Sequence, residues 1–212
     1  MHAQSKKYQA LALFDFDGTL CQSDSFTRFI FFALPKRRIL RKGLRSLPWI
    51  TAYYLKLYPA HRMRPRLFRQ MFAGISRQHL QDQAQLYAQN ILKKQLDPAL
   101  LKQLKQHQQL GHHVVLVSAS VHVYLAPLCQ DLSLDLICSE VDLSETHISG
   151  RYCSPDCSLE QKKQRVLEAY SLKDYEKIYA YGNSHEDFAM FSIAHHTYFV
   201  GKDRKMPDLS TP

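Results

Sequence analysis

Two carboxylates, Asp15 and Asp17, stand two residues apart where the apolar run 11–14 ends, and Gly18-Thr19 follows them directly. Unpaired carboxylates at the end of a buried strand cost free energy unless they bind something. A site for a ligand is therefore favoured over a purely structural turn. The glycine lets backbone approach that ligand closely. A calcium loop of the EF-hand kind is excluded, because the DxDxDG run and its distal glutamate are missing.

In an open α/β sheet, ligands collect at the carboxyl ends of strands, so polar residues just past other apolar runs are candidates for the same pocket. Three more such points exist: Val117-Ser118-Ala119-Ser120, the segment Cys157-Ser158-Leu159-Glu160-Gln161-Lys162-Lys163, and Gly182-Asn183-Ser184-His185-Glu186-Asp187. At the first, Ser120 is as good a candidate for a helix cap as for ligand contact. At the third, His185 and Glu186 are expected to face solvent.

These points need strands that end side by side. Residues 11–14, 114–117, 136–138, 178–181 and 197–200 read as short buried strands, and 141–152, with its Ser149-Gly150 turn signal, as further β structure. From about 25 to 95 the apolar residues recur at helical spacing, broken at Pro35, Pro48, Pro59 and Pro65, which predicts several short helices. Asp97-Pro98 is an N-cap with proline at the first helical position; Leu100, Leu101 and Leu104 mark the buried face, and Gly111 the end. Residues 121–130 and 188–192 read as helices. Ser158 with Gln161 forms a capping-box pattern opening a helix to Tyr170, with Leu159, Val166 and Leu167 toward the core. The alternation predicts an α/β fold, a parallel sheet with helices on both faces.

The apolar strand followed by Asp15-x-Asp17-Gly18-Thr19 resembles the signature of the haloacid dehalogenase (HAD) superfamily of phosphohydrolases, and the resemblance runs from about residue 11 to residue 200. It implies a Rossmann-like parallel core at 1–23 and 97–212 with a helical C1 cap inserted at 24–96, in the spacing of subfamily IB, the phosphoserine phosphatase-like branch. It implies Asp15 as the nucleophile that forms an aspartyl-phosphate, and Asp17 as the general acid and then base. Dehalogenase and P-type ATPase members lack an acid at the second position, so Asp17 points to a phosphate ester. By the same resemblance Ser118 is a hydroxyl on the transferring phosphoryl group, with Gly18, Thr19, Ala119 and Arg28 near the phosphate. Lys162, chosen over Lys163, is a point charge on phosphate and nucleophile. Leu159 departs from the branch, where glycine is usual. Mg²⁺ is expected on Asp15, the Asp17 main-chain carbonyl and Asn183, which stands for the first aspartate of GDxxxD with one charge fewer; Asp187, counted with the metal group, would support a bound water or the lysine.

Length and composition agree with one core plus an insert: 212 residues, 45% apolar and 22% charged. No apolar stretch approaches the roughly 20 residues of a membrane span, and residues 1–10 lack an apolar leader. Five scattered cysteines without a CxxC pair suit reduced thiols and no structural zinc. A cytoplasmic protein is expected, peripheral on the inner membrane face. The net charge of +9 is confined to one window: between Ser25 and Gln81 there are thirteen bases and no acid, leaving 15 bases against 19 acids elsewhere, a net −4. Those bases are interleaved with Phe29, Phe31, Phe32, the single Trp49, Tyr53, Tyr54, Tyr58 and Phe68. Basic, aromatic helices of this kind lie in the headgroup plane of an anionic membrane. Nucleic acid is the disfavoured partner, for no reader motif is present. Within the branch the chain is most similar to phosphatidylglycerophosphatase C-like members, which implies a membrane-presented lipid phosphate such as phosphatidylglycerophosphate as the phosphorylated substrate. A soluble ester such as phosphoserine or histidinol phosphate is the alternative. Against phosphoserine, the window lacks a carboxylate for the substrate ammonium; Asp24 and Asp82 at its edges are the only candidates.

Overall fold

Alternate residues of the first strand face two different apolar layers: Leu11 and Leu13 one, Ala10, Ala12 and Phe14 the other. A strand buried on both faces must be apolar throughout, and it belongs at the centre of a covered parallel sheet. The computed structural model, which describes residues 8–209, places it there. The strands are β1 (Tyr8–Phe14), β2 (His113–Val121), β3 (Asp135–Ser139), β4 (Tyr175–Gly182) and β5 (His196–Phe199), all parallel, in the order β3-β2-β1-β4-β5. Phe14 pairs with Leu116 on one side and Tyr181 on the other. The residues next along, Asp15, Val117 and Gly182, therefore stand side by side, where the strand order reverses.

Five α-helices lie between β1 and β2: α1 (Ser25–Ala33), α2 (Lys36–Tyr54), α3 (Ala60–Phe72), α4 (Arg77–Asn90) and α5 (Pro98–Gln109). After the sheet crossings come α6 (His122–Leu132), α7 (Glu160–Ala169) and α8 (Phe188–Phe191). Leu104 of α5 and Leu128 of α6 share a layer with Ala12, Phe14 and Leu116, whereas Val166 of α7 and Met190 of α8 share the opposite layer with Leu11, Leu13 and Val117. Helices thus cover both faces, as the alternation implies. Asp97 caps α5 as expected, its side chain accepting from the amides of Ala99 and Leu100. The expectation of a leaderless N-terminus concerns residues 1–7 in the main, which lie outside the described residues.

Three local expectations fail. Pro48 and Pro65 sit inside α2 and α3 instead of ending them; the residues four back, Leu44 and His61, are exposed or half-buried, so water can serve the carbonyls that lose a donor. Residues 141–152 form no regular hairpin, only the isolated bridges Val141–Tyr152 and His147–Ser76, because the middle of the loop bonds to the α3–α4 turn through Gly74 N to Ile148 O, Ile148 N to Ile75 O and Arg77 N to Thr146 O. The capping box at Ser158 is absent as well. The Leu159 amide instead donates to the Glu186 carbonyl at 3.1 Å with Leu159 at φ +53°, α7 starts at Glu160, and Leu167 is exposed.

Candidate active site

A cavity of about 620 Å³ opens over the carboxyl ends of β1, β2 and β4, and its polar floor is lined by Asp15, Asp17, Ser118, Ala119, Lys162 and Asn183. Residues from four stretches of chain therefore meet. Lys162 is the pivot: its ammonium donates at 2.5 Å to one Asp15 oxygen and at 2.5 Å to one Asp187 oxygen, all three being buried. Burial works against the lysine's charge, but the two carboxylates outweigh it and hold the proton firmly. Lys163 instead points to Glu160 at 3.8 Å and is half exposed; of the two lysines, Lys162 is the one that the sheet-facing side of α7 brings to Asp15.

Asp15 has its second oxygen on the Thr19 hydroxyl at 2.8 Å. Burial lifts its carboxyl to about 7, Lys162 pulling it down and Asp187 pushing it up. Asp17 accepts from the Ser25 amide at 2.6 Å and the Ser120 hydroxyl at 2.5 Å, and burial raises it too, against those two bonds. Ser120 does not cap α6, whose N-cap is Val121. Its hydroxyl can donate to ionised Asp17 and accept from protonated Asp17, so it serves both states. Behind it, Ser25 Oγ lies 3.2 Å from both Ser120 Oγ and Tyr124 Oη, and Tyr87 donates to the Ser25 carbonyl at 2.9 Å. This network ties Asp17 to α1, α4 and α6, and sequence reasoning missed it because hydroxyls in helices carry no distinguishing spacing.

Two glycines are explained by what presses on them. Gly18 has φ +76°, and a Cβ there would lie 2.0 Å from Asn183 Nδ2, so the Asn183 amide rests on the loop after Asp17. At Gly182 a Cβ would meet the Asp187 side chain at 2.7 Å. Asp187 fills that space: one oxygen takes Lys162 and the other takes the amides of Asn183 and Ser184 at 3.0 Å each. Both oxygens are thereby engaged, one on the lysine and one on backbone amides, which is the lysine-holding half of its expected role.

Of the other expected contacts, Ser118 and Ala119 line the floor, while Gly18 and Thr19 do not. Arg28 is a correction: it is exposed on α1 and does not line the cavity, whose α1 side is taken by Phe26, Thr27, Ile30 and Phe31. The base that does line it is Arg64, bidentate to Asp156 at 2.8 Å and bonded to Glu186 at 3.1 Å. Burial opposes the charge of Arg64, yet those carboxylates keep it protonated. Glu186 accordingly faces the cavity and not solvent. Nothing in the sequence singles out Arg64 from the other twelve bases of its window.

Above the floor the walls change character. Ile30 and Phe31 of α1, Ile39, Ile50 and Tyr53 of α2, and Met63, Leu67 and Met71 of α3 line the remainder. A model of the family described as haloacid dehalogenase-like hydrolase matches residues 12–192. The chain belongs to this family.

Among curated relatives, this HAD-like hydrolase is 27% identical over 190 residues to Protein CicA of Caulobacter vibrioides, with 87% of this chain and 82% of that protein covered. Among solved structures it superposes on a Bordetella pertussis Tohama I protein of unknown function with TM-score 0.73 at 19% identity, covering 90% and 89% of the two chains. A phospho-aspartyl intermediate analogue of phosphoserine phosphatase gives TM-score 0.59 at 16% identity, covering 90% and 86%. At such identities the structural likenesses establish the fold.

Proposed function

We propose that this HAD-like hydrolase is a Mg²⁺-dependent phosphomonoester hydrolase whose substrate carries a long apolar group, a lipid phosphate of the phosphatidylglycerophosphate kind presented at a membrane surface, with 24–96 acting as its cap. The observation that carries the reading is the continuity of the cavity, in which a polar floor built for a phosphate joins apolar walls from α1, α2 and α3. The two acids that could greet a substrate ammonium are engaged elsewhere: Asp24 caps α1 through Thr27, and Glu186 holds Arg64. Asp82 does not line the cavity; it accepts from Gln78. That disfavours an amino-acid phosphate.

The outer side of α2 supports presentation at a bilayer. Leu40, Leu44 and Leu47 recur at helical spacing and, with Leu55 just past the helix end, are exposed, and the helix also carries Lys36, Arg37, Arg41 and Arg45. An exposed apolar stripe flanked by bases fits an anionic interface. Among the described residues no helix is long and apolar enough to cross a membrane.

The donor set fits a hard divalent cation. Asp15 and Asp187 share the single ammonium of Lys162, Asp17 adds a third carboxylate held by Ser25 and Ser120, and Asn183 adds an amide oxygen beside the Asp17-Gly18 backbone. Among the described residues no three His, Cys, Asp or Glu side chains gather to hold a metal, which suits an ion that keeps its own waters and takes one or two carboxylates with carbonyl oxygens. Asp15, the Asp17 carbonyl and Asn183 would hold it, and it would offset the repulsion between phosphate and Asp15. The chain's own residues do the rest. An Asp15 oxygen attacks phosphorus as the ester P–O bond breaks, and Asp17 gives its proton to the leaving oxygen. Asp17 then takes a proton from the water that attacks the aspartyl-phosphate, which releases phosphate and restores Asp15. Lys162, fixed by Asp187, and Ser118 steady the charge on the transferring group.

A substrate panel tests the assignment. With Mg²⁺ present, phosphatidylglycerophosphate in mixed micelles is expected to give a kcat/KM at least tenfold above those of phosphoserine and histidinol phosphate. A soluble ester that outperforms the lipid contradicts it.

A further inference from the structure

α3 has two lined faces. Met63, Leu67 and Met71 face the catalytic cavity, while Arg66 and Arg69 on the other side face a second cavity of about 630 Å³ that shares no lining residue with the first. Lys42 of α2 and Arg151 of the 147–152 loop complete its charge: four cations and no carboxylate line it. Among the described residues none of the four forms an ion pair. Like charges gathered round one hollow repel, and the neighbouring Arg64, by contrast, is neutralised by two acids.

The hollow is also rigidly built. Gly150, at φ +71°, brings the loop so near α3 that a Cβ would sit 2.9 Å from Arg69 Cα, and the backbone bonds to the α3–α4 turn hold that approach. Arg66 is aimed as well: its guanidinium lies 3.8 Å over the Trp49 ring and its Nε donates to Tyr58 Oη at 3.2 Å, and among the described residues its terminal nitrogens have no hydrogen-bond partner.

We propose that this basic cleft is a second anion-binding site, separate from the catalytic floor, that takes a phosphate group through the forks of Arg66, Arg69 and Arg151 and the point charge of Lys42. Guanidinium forks match phosphate oxygens in pairs, which is why three arginines and one lysine favour phosphate over a simple halide. The phosphate can belong to an anionic lipid headgroup or to a soluble anion. The site stands on its own geometry and does not require the catalytic reading to hold.

Trp49 is the only tryptophan of the chain, and its stacking on Arg66 makes its emission a reporter of the cleft. The full-length protein is titrated with inorganic phosphate at constant ionic strength, and separately with phosphatidylcholine vesicles with or without phosphatidylglycerol. The wild type is compared with the double variant Arg69→Gln/Arg151→Gln. Both residues are exposed and outside the catalytic cavity, so the thermal midpoint and the hydrolysis of a soluble phosphomonoester are expected to stay unchanged. A saturable Trp49 change in the wild type that weakens at least tenfold in the double variant supports the site. Response to phosphate identifies a free anion as sufficient; response only to vesicles containing phosphatidylglycerol identifies the headgroup. Identical titrations of wild type and variant, as phosphate on the catalytic floor would give, overturn the proposal, and so does the absence of a saturable response to either probe. Loss of hydrolysis with an intact Trp49 titration would count against the catalytic reading alone.

Discussion

Lys162 and α2 handle positive charge in opposite ways. On the floor, one ammonium and two carboxylates are buried, and each is held at 2.5 Å by its neighbour. On α2, nineteen residues bury only Ser46, and Lys36, Arg37, Arg41 and Arg45 stay hydrated beside exposed leucines. A buried charge must be paired or it is neutralised, so the floor's geometry is dictated from within. A hydrated charge needs no internal partner and remains available to an external one. On the proposed reading, the contrast separates what performs chemistry from what selects and presents the substrate.

Lys162→Met breaks the contrast from the floor side. It leaves Asp15 and Asp187 buried without their counter-ion. Loss of one partner of a buried pair costs about 3–5 kcal/mol, and loss of one preorganised charge on a reacting group lowers kcat by about 10²–10³-fold. Chemical denaturation and steady-state kinetics check the two effects, while vesicle binding through α2 is expected to persist. A variant as stable and as active as the wild type would contradict the pivotal role of the lysine.

Leu44→Glu sharpens the contrast from the other side. The residue is exposed, so stability is expected to move by no more than about 0.5 kcal/mol. Removing one leucine from an interface forfeits at least about 1.5 kcal/mol of burial, and the new carboxylate is repelled by anionic lipid. Sedimentation with phosphatidylglycerol vesicles should weaken at least tenfold, with kcat on a soluble ester unchanged. Equal sedimentation of variant and wild type removes α2 as the membrane-facing element.

The smallest effect concerns Leu159. Its φ of +53° with ψ −130° lies where residues with a side chain are strained, and glycine adopts that conformation freely. Leu159→Gly is expected to raise stability by about 0.5–1 kcal/mol without altering the Lys162 contacts, as thermal unfolding can show. A destabilised variant would mean that packing of the leucine outweighs the strain.

How much of this was legible follows the same division. Asp15 and Asp17 declare themselves because an apolar strand ending in two acids has few structural uses. Lys162 stands four residues before Val166, one turn away on the same face, and α7 buries both. The glycine-like backbone at Leu159 explains why the register survives although the residue departs from the family pattern. In the insert, helical spacing was visible, but which turn faces the cavity was not. Arg28 and Arg64 are chemically alike, and only the packing of α1 and α3 places one outside and the other inside. Pro48 and Pro65 misled because their cost depends on whether water reaches the freed carbonyl, which a sequence does not state. The hydroxyl network of Ser25, Ser120 and Tyr124 joins residues about 100 positions apart, a pairing that only the crossing of the sheet creates.

Covalent transfer to Asp15 is tested most directly by quenching turnover with acid and weighing the proteolytic peptides. The peptide containing Asp15 should gain the mass of one phosphoryl group in the wild type and none in Asp15→Asn, a folded variant expected to have no hydrolytic activity. Steady hydrolysis by Asp15→Asn, or a phosphoryl group found on another peptide, would contradict the account.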